Sequence, residues 1–174
     1  PERQTNFFRR LDYVHNQNEK EWNNFESILR ALEKLIKKGK IKYIGLSNET
    51  PYGLSKFLEL SASKDLPKVM SVQNAYSLVN RVYEIGLAEI SIREKSGLLA
   101  YSPLAAGYLS GKYRNNKIPK NSRIDLFGEF WKRYQNKRAF QAYENYYKIS
   151  QDYGISLTKL SLAFINTRPF VTSN

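Results

Sequence analysis

Short apolar runs recur along this chain roughly 30 residues apart, each closed by polar residues and followed by an amphipathic stretch. The first is Ile41-Lys42-Tyr43-Ile44-Gly45-Leu46, closed by Ser47-Asn48. The second is Val69-Met70-Ser71-Val72, closed by Gln73-Asn74. The third is Leu98-Leu99-Ala100, closed by Tyr101-Ser102-Pro103. Strands that alternate with helices in this way predict an α/β fold with a parallel sheet. The runs read as apolar throughout, as expected when helices cover both faces of a sheet.

The intervening stretches supply the helices. Glu19 to Lys38 carries Trp22, Phe25, Leu29, Leu32 and Ile36 at helical spacing, with Lys37-Lys38 in the last turn and Gly39 placed to end it. Thr50-Pro51 reads as an N-cap followed by proline at the first helical position. A further helix is expected from about Arg81 to Lys95, stopped by Gly97. Another is expected from about Arg138 to Tyr153, ended by Gly154, and a last one is capped by Ser156. Phe170-Val171-Thr172-Ser173 begins a fourth strand. Between them, Tyr113 to Tyr134 is basic, Asn-rich and weakly periodic, and a connection that long is commonly functional or mobile. Four strand signals make about half of an eight-stranded barrel, which typically needs ~250 residues. The expectation is therefore one incomplete domain, residues 1–174, forming the C-terminal part of a (β/α)8 TIM barrel truncated at both ends.

Composition narrows the chemistry. Cysteine is absent and His15 is the lone histidine, so thiolate and histidine-cluster metal sites are excluded, and no metal is expected. His15 reads as a solvated loop residue. No apolar run approaches the ~20 residues that span a bilayer, so no membrane partner is expected and a cytoplasmic location is. The net charge is +12. Its lysines, among them Lys34, Lys37 and Lys38, are spread over outer helix faces rather than gathered in one patch, so no nucleic acid partner is expected. Nothing in the composition fixes an oligomeric state.

The polar residues that end the runs carry the functional signal. In a parallel α/β barrel the carboxyl ends of all strands open on one rim, where active sites form. Ser47, Asn48, Gln73, Asn74, Tyr101 and Ser102 would deliver hydroxyls, amides and one aromatic ring there, a set suited to a flat, amide-bearing ligand; ordinary polar strand ends are the competing reading. There is no GxGxxG motif. Gly107-Tyr108-Leu109-Ser110-Gly111-Lys112 is one residue short of a P-loop, and Tyr113 stands where Ser or Thr would hold Mg²⁺. A nucleotide triphosphatase is therefore excluded. Gly107 and Gly111 still allow a backbone-rich turn, and Lys112 and Arg123 can neutralise phosphate. Glu84, Glu89 and Glu94 read as a solvated helix face, and no Ser/His/Asp arrangement is available.

Three motifs together resemble one family. Gly39 to Asn48 is similar to the fifth-strand signature of the aldo/keto reductases, Val72-Gln73-Asn74-Ala75-Tyr76-Ser77 to their sixth-strand motif, and Leu99 to Gly107 with Ser110-Gly111-Lys112-Tyr113 to the seventh strand and its loop. The likeness lies nearest the Tas-type branch, close to the potassium-channel β-subunit branch. It implies a barrel that uses NADP(H) to reduce a small-molecule aldehyde or ketone. By this resemblance Ser47, Asn48 and Gln73 would hold the nicotinamide carboxamide and Tyr101 would stack on its ring. Ser102, Pro103, Leu104 and Ala105, with Gly107, would line the pyrophosphate path, and Lys112 and Arg123 would contact phosphates. The family's catalytic Asp, Tyr, Lys and His precede its fifth strand. Pro1 resembles the proline just after that His, and His15 does not replace it. No catalytic residue is thus expected here, and the 174-residue chain alone is expected to lack reductase activity. A cofactor-binding regulatory subunit is the alternative.

Overall fold

The structure is a computed structural model that describes residues 13–14 and 24–174. The expected helix start at Glu19, with Trp22, and the readings of Pro1 and His15 lie outside the described residues.

Helices α1 (Phe25–Lys37) and α2 (Pro51–Ser63) flank strand β1 (Ile44–Ser47), and β2 (Val69–Ala75), α3 (Leu87–Arg93) and β3 (Gly97–Tyr101) follow. The rest comprises α4 (Arg123–Phe127), α5 (Lys137–Asp152), α6 (Leu157–Asn166) and β4 (Val171–Ser173). The strands hydrogen-bond in chain order, and β1 and β2 run parallel. The chain packs as two compact units. One takes the described residues up to Asn74 with Val82–Leu99, the other Ala75–Arg81 with Ala100–Asn174.

In the first unit the cores of α1 and α2 meet through Phe25 and Phe57, whose rings stand edge to face at 4.8 Å. Leu29, Leu54, Val69, Val72 and Leu98 are buried with them. Thr50 caps α2 as expected, accepting the Gly53 N–H at 3.2 Å with Pro51 opening the helix. The expectation of strands apolar throughout is corrected. Register pairs Leu46 with Val72 but Ser47 with Gln73, and Gly45 with Ser71. Beyond a register shift between Ile44 and Gly45, alternation puts Leu46 and Val72 on one face and Gly45, Ser71, Ser47 and Gln73 on the other.

Strand and helix limits also shift. Residues Ile41 to Tyr43 precede β1 because the chain is still leaving α1: Gly39 adopts a left-handed φ of 67° and the Lys40 N–H donates to Leu35 O at 3.0 Å. This Schellman closure recurs. Leu66 donates to Ser61 O, Ser96 to Ser91 O and Ile155 to Ser150 O, with Asp65, Lys95 and Gly154 in the left-handed position. So Lys95, not Gly97, stops α3, and Gly97 opens β3. The helix expected from Arg81 is broken at Gly86 into a 3-10 turn, Val82–Glu84, and α3. β2 continues through Gln73 and Asn74 to Ala75, and β4 starts at Val171 rather than Phe170.

The second unit has a tyrosine-rich core. Tyr108, Tyr113, Tyr134 and Tyr143 pack with Leu78, Leu109, Ile124 and Leu157. Tyr108 and Tyr143 stack with centroids 5.0 Å apart. Buried phenols need partners. The Tyr143 hydroxyl donates to Tyr134 O at 3.1 Å, and the Tyr113 hydroxyl accepts the Ile124 N–H at 3.3 Å. The stretch from Tyr113 to Tyr134, expected as one long connection, is therefore built of short helical turns around α4, anchored by side chains in this core.

Candidate functional site

In the first unit three of the expected residues come together. Ser47 and Gln73, partners across β1 and β2, are both exposed at the carboxyl ends of their strands. The Gln73 amide engages no partner among the described residues. Asn48 has a left-handed φ of 55°; its N–H donates to Gln73 O at 2.9 Å, and its side-chain amide donates to Ser47 Oγ at 3.1 Å. Asn48 is only 8% exposed, so it braces Ser47 more than it faces outward.

Asn74, one of the amides expected to face the rim, and Glu49, which sequence reasoning missed, hold this corner. Asn74 is 4% exposed, and its side-chain amide pairs with the backbone of Glu49 in both directions. Asn74 Oδ1 accepts the Glu49 N–H, and Asn74 Nδ2 donates to Glu49 O, each at 2.9 Å. The Glu49 carboxylate accepts the Thr50 N–H at 2.7 Å, at the start of α2. The sequence offered one signal for Asn74: neighbours in a strand point to opposite faces, so Gln73 and Asn74 cannot share one role.

In the second unit, Tyr101 ends β3 half-buried, its carbonyl accepting the Tyr76 N–H at 3.1 Å. Burial pushes its phenol above the ordinary tyrosine value, while the positive Arg133 pulls it back. From there the backbone coils tightly. Ser102 has φ 56°, and Ala105, Ala106 and Gly107 are left-handed in succession at 48°, 59° and 104°. The Ala105 N–H returns to Ser102 O and the Gly107 N–H to Leu104 O. Each such non-glycine residue carries strain of order 1–3 kcal/mol, and strain of this kind collects at functional sites. Ala105 is fully buried, backbone included, so it offers no exposed surface, while Ser102, Pro103 and Leu104 are half-buried.

Lys112 folds back over Gly107. A Cβ built there would lie 2.8 Å from Lys112 Cε and 3.1 Å from Tyr113 Cε2. Arg123 is corrected from a loop residue to the first residue of α4, capped by Ser122, with its guanidinium 5.5 Å from the Trp131 ring centre. The structure thus joins Tyr101 through Ala105 to Gly107 and Lys112 along one coil and places Arg123 on a separate element. Glu89 pairs with Arg93 on an exposed face, as its solvated reading required. Among the described residues no group of three His, Cys, Asp or Glu side chains could hold a metal.

The tyrosine core makes alkaline pH a probe of this unit. Burial raises Tyr134 and Tyr143 above the usual value near 10, the latter further because Tyr134 and Tyr108 lie beside it. The folded state keeps protons that the unfolded chain releases, so stability present below about pH 10 is lost as pH rises beyond it. Denaturant unfolding between pH 8 and 11 should show a decline approaching about 1.4 kcal/mol per pH unit for each such tyrosine. A flat profile would contradict the wiring described.

A hydroxyl and an amide at the carboxyl ends of paired parallel strands in the first unit, and a strained coil carrying a lysine in the second, are the strand-end chemistry expected of a parallel α/β barrel fold. The aldo/keto reductase family model matches residues 3–174, and the chain belongs to the aldo/keto reductase family. It is 40% identical over 173 residues to Protein tas of Escherichia coli strain K12, covering 99% of this chain and 49% of that protein. It is 39% identical over 153 residues to an aldo-keto reductase of Babesia bovis, covering 85% and 54%. It is 31% identical over 153 residues to the L-glyceraldehyde 3-phosphate reductase of Escherichia coli strain K12, covering 85% and 44%. The chain spans about half the length of these relatives. The fold is shared with a glycerol dehydrogenase from Gluconobacter oxydans, at a TM-score of 0.67 and 22% identity over 88% of this chain and 45% of that one.

Proposed function

We propose that this chain supplies the nicotinamide and phosphate contacts of an NADP(H)-dependent oxidoreductase that reduces a small-molecule aldehyde or ketone to an alcohol. The observation that carries this reading is the register pair Ser47 and Gln73, which presents a hydroxyl and an uncommitted amide side by side, braced by Asn48. A carboxamide needs one acceptor and one donor pair, and these groups match it. Tyr101 would stack on the nicotinamide ring and fix the face that reacts. The coil through Ser102, Pro103, Leu104, Ala105 and Gly107 would take the pyrophosphate, and Lys112 and Arg123 would contact phosphate oxygens. The reduced cofactor supplies hydride to the carbonyl carbon when bound. The residues named here bind and orient; none is assigned a proton-transfer role. The reductase name of one relative supports the reaction class.

A cytoplasmic location, and partners that include neither nucleic acid nor membrane, belong to the same proposal. Ion pairs such as Arg30–Glu26, Lys37–Glu33 and Lys132–Glu129 spread the positive charge over helix faces, which supports it. No helix among the described residues is long and apolar enough to cross a membrane.

In the full-length protein, NADPH should quench fluorescence on binding, and Tyr101→Ala should weaken binding by about 1–3 kcal/mol through loss of the aromatic contact. Unchanged affinity would remove Tyr101 from the site. Steady-state turnover of an aldehyde with NADPH would distinguish the enzyme from a cofactor-binding regulatory subunit.

A further inference from the structure

We propose that Tyr113 is a positioning residue that sets Lys112 and Arg123 as one unit, latched in place by the Arg114–Glu144 ion pair. This rests on the cofactor reading above and extends it to residues that would not themselves touch the ligand.

Tyr113 lies between an exposed lysine and a half-buried arginine, yet is itself only 6% exposed. Its ring packs 4.9 Å from Tyr108 in the core. Two connections leave it. On one side Lys112 Nζ sits 5.0 Å from the ring centre, and the lysine stem and the ring edge both close on the bare face of Gly107. On the other side the hydroxyl accepts the N–H of Ile124, the residue after Arg123. The first amides of a helix have no partner within it. Ser122 satisfies the Asp125 N–H from within the local sequence, and Tyr113 satisfies Ile124 from eleven residues upstream. The posture of α4, and hence of Arg123, is therefore tied to the ring that carries Lys112.

The next residue fixes that ring in turn. Arg114 binds Glu144 of α5 through two bonds, Nε to Oε1 at 3.0 Å and Nη2 to Oε2 at 2.8 Å. Its guanidinium lies 3.3 Å from the centre of the Tyr147 ring. A bidentate pair that also stacks on an aromatic ring fixes direction as well as distance. Arginine in this role anchors Tyr113 without occupying the phosphate-facing side. Long basic side chains lose rotamer freedom when they grip an anion, so holding two of them beforehand favours binding.

The test is a double-mutant cycle on the full-length protein, with NADPH as the probe. Tyr113→Phe keeps the ring and removes the bond to Ile124; it should raise the NADPH Kd about 3- to 10-fold, the loss expected for one hydrogen bond. Arg123→Ala should weaken binding in the wild type by a larger factor than it does in the Tyr113→Phe background, because the hydroxyl acts through Arg123. Glu144→Gln should weaken binding in the same direction, and in the Tyr113→Phe and Glu144→Gln variants the affinity should fall less steeply with added salt than in the wild type. Thermal unfolding of each variant reports its effect on stability, which the cycle does not depend on. Strictly additive effects, or a Tyr113→Phe variant that binds like wild type, would overturn this inference and leave the cofactor reading standing. A wild-type protein that does not bind NADPH would overturn both.

Discussion

Replacing Gly107 with valine should destabilise the second unit by about 3 kcal/mol or more and remove most cofactor affinity with it. The backbone there has φ +104°, a region that β-branched residues essentially do not enter. The added Cβ would lie 2.8 Å from Lys112 Cε and 3.1 Å from Tyr113 Cε2. Backbone strain of about 1–2 kcal/mol and overpacking of about 1–3 kcal/mol act together at this point. Lysine could swing away, but the Tyr113 ring is held by Tyr108 and by the Ile124 N–H. Gly39 supplies the control. Its φ is +67° and nothing lies within 4 Å of a Cβ there, so Gly39→Ala should cost about 1 kcal/mol. Denaturant unfolding of both variants checks the contrast. Equal costs would mean that the close approach at Gly107 carries no weight.

The alternation of strands and helices was legible because it depends on local periodicity. Leu54, Phe57 and Leu58 had to share a helix face, and Ser156 had to cap a helix whose Lys159 N–H its hydroxyl now meets at 3.1 Å. Helix ends were less legible. Gly39 and Gly154 announced theirs, but Asp65 and Lys95 occupy the same left-handed position without any compositional sign. The segment from Tyr113 to Tyr134 was misread for a related reason. Tyr113, Ile124 and Tyr134 enter one core at irregular intervals, so no period marks them.

The same division holds at the site. Ser47, Gln73 and Tyr101 were visible as polar or aromatic residues closing apolar runs. Apart from Asn48, which steadies its neighbour Ser47, the supports found in the two units were not visible, because they link residues far apart in the chain. Asn74 meets Glu49 across 25 residues, and Arg114 meets Glu144 across 30. A side chain that satisfies distant backbone has no spacing rule, and only the folded chain reveals it.

Asn74 is the position where that support should matter most. Its amide bonds both the N–H and the C=O of Glu49, and both residues are buried. Asn74→Ala deletes both bonds and leaves two polar backbone groups without those partners in a site too enclosed for easy hydration. Each such group costs about 1–3 kcal/mol, so a loss of about 2–5 kcal/mol in unfolding free energy is expected. Aspartate should not rescue it. The carboxylate can accept the Glu49 N–H, but its second oxygen would face Glu49 O, an acceptor against an acceptor. The consequence for ligand binding follows from the chain path. Glu49 is continuous with Asn48, whose N–H reaches Gln73 O and whose amide steadies Ser47. Asn74→Ala should therefore weaken NADPH binding as well as stability, even though Asn74 points away from the face that carries Gln73. Thermal unfolding together with NADPH titration below the melting transition separates the two effects. A variant that is destabilised yet binds with wild-type affinity would show that Asn74 supports the fold but not the nicotinamide corner.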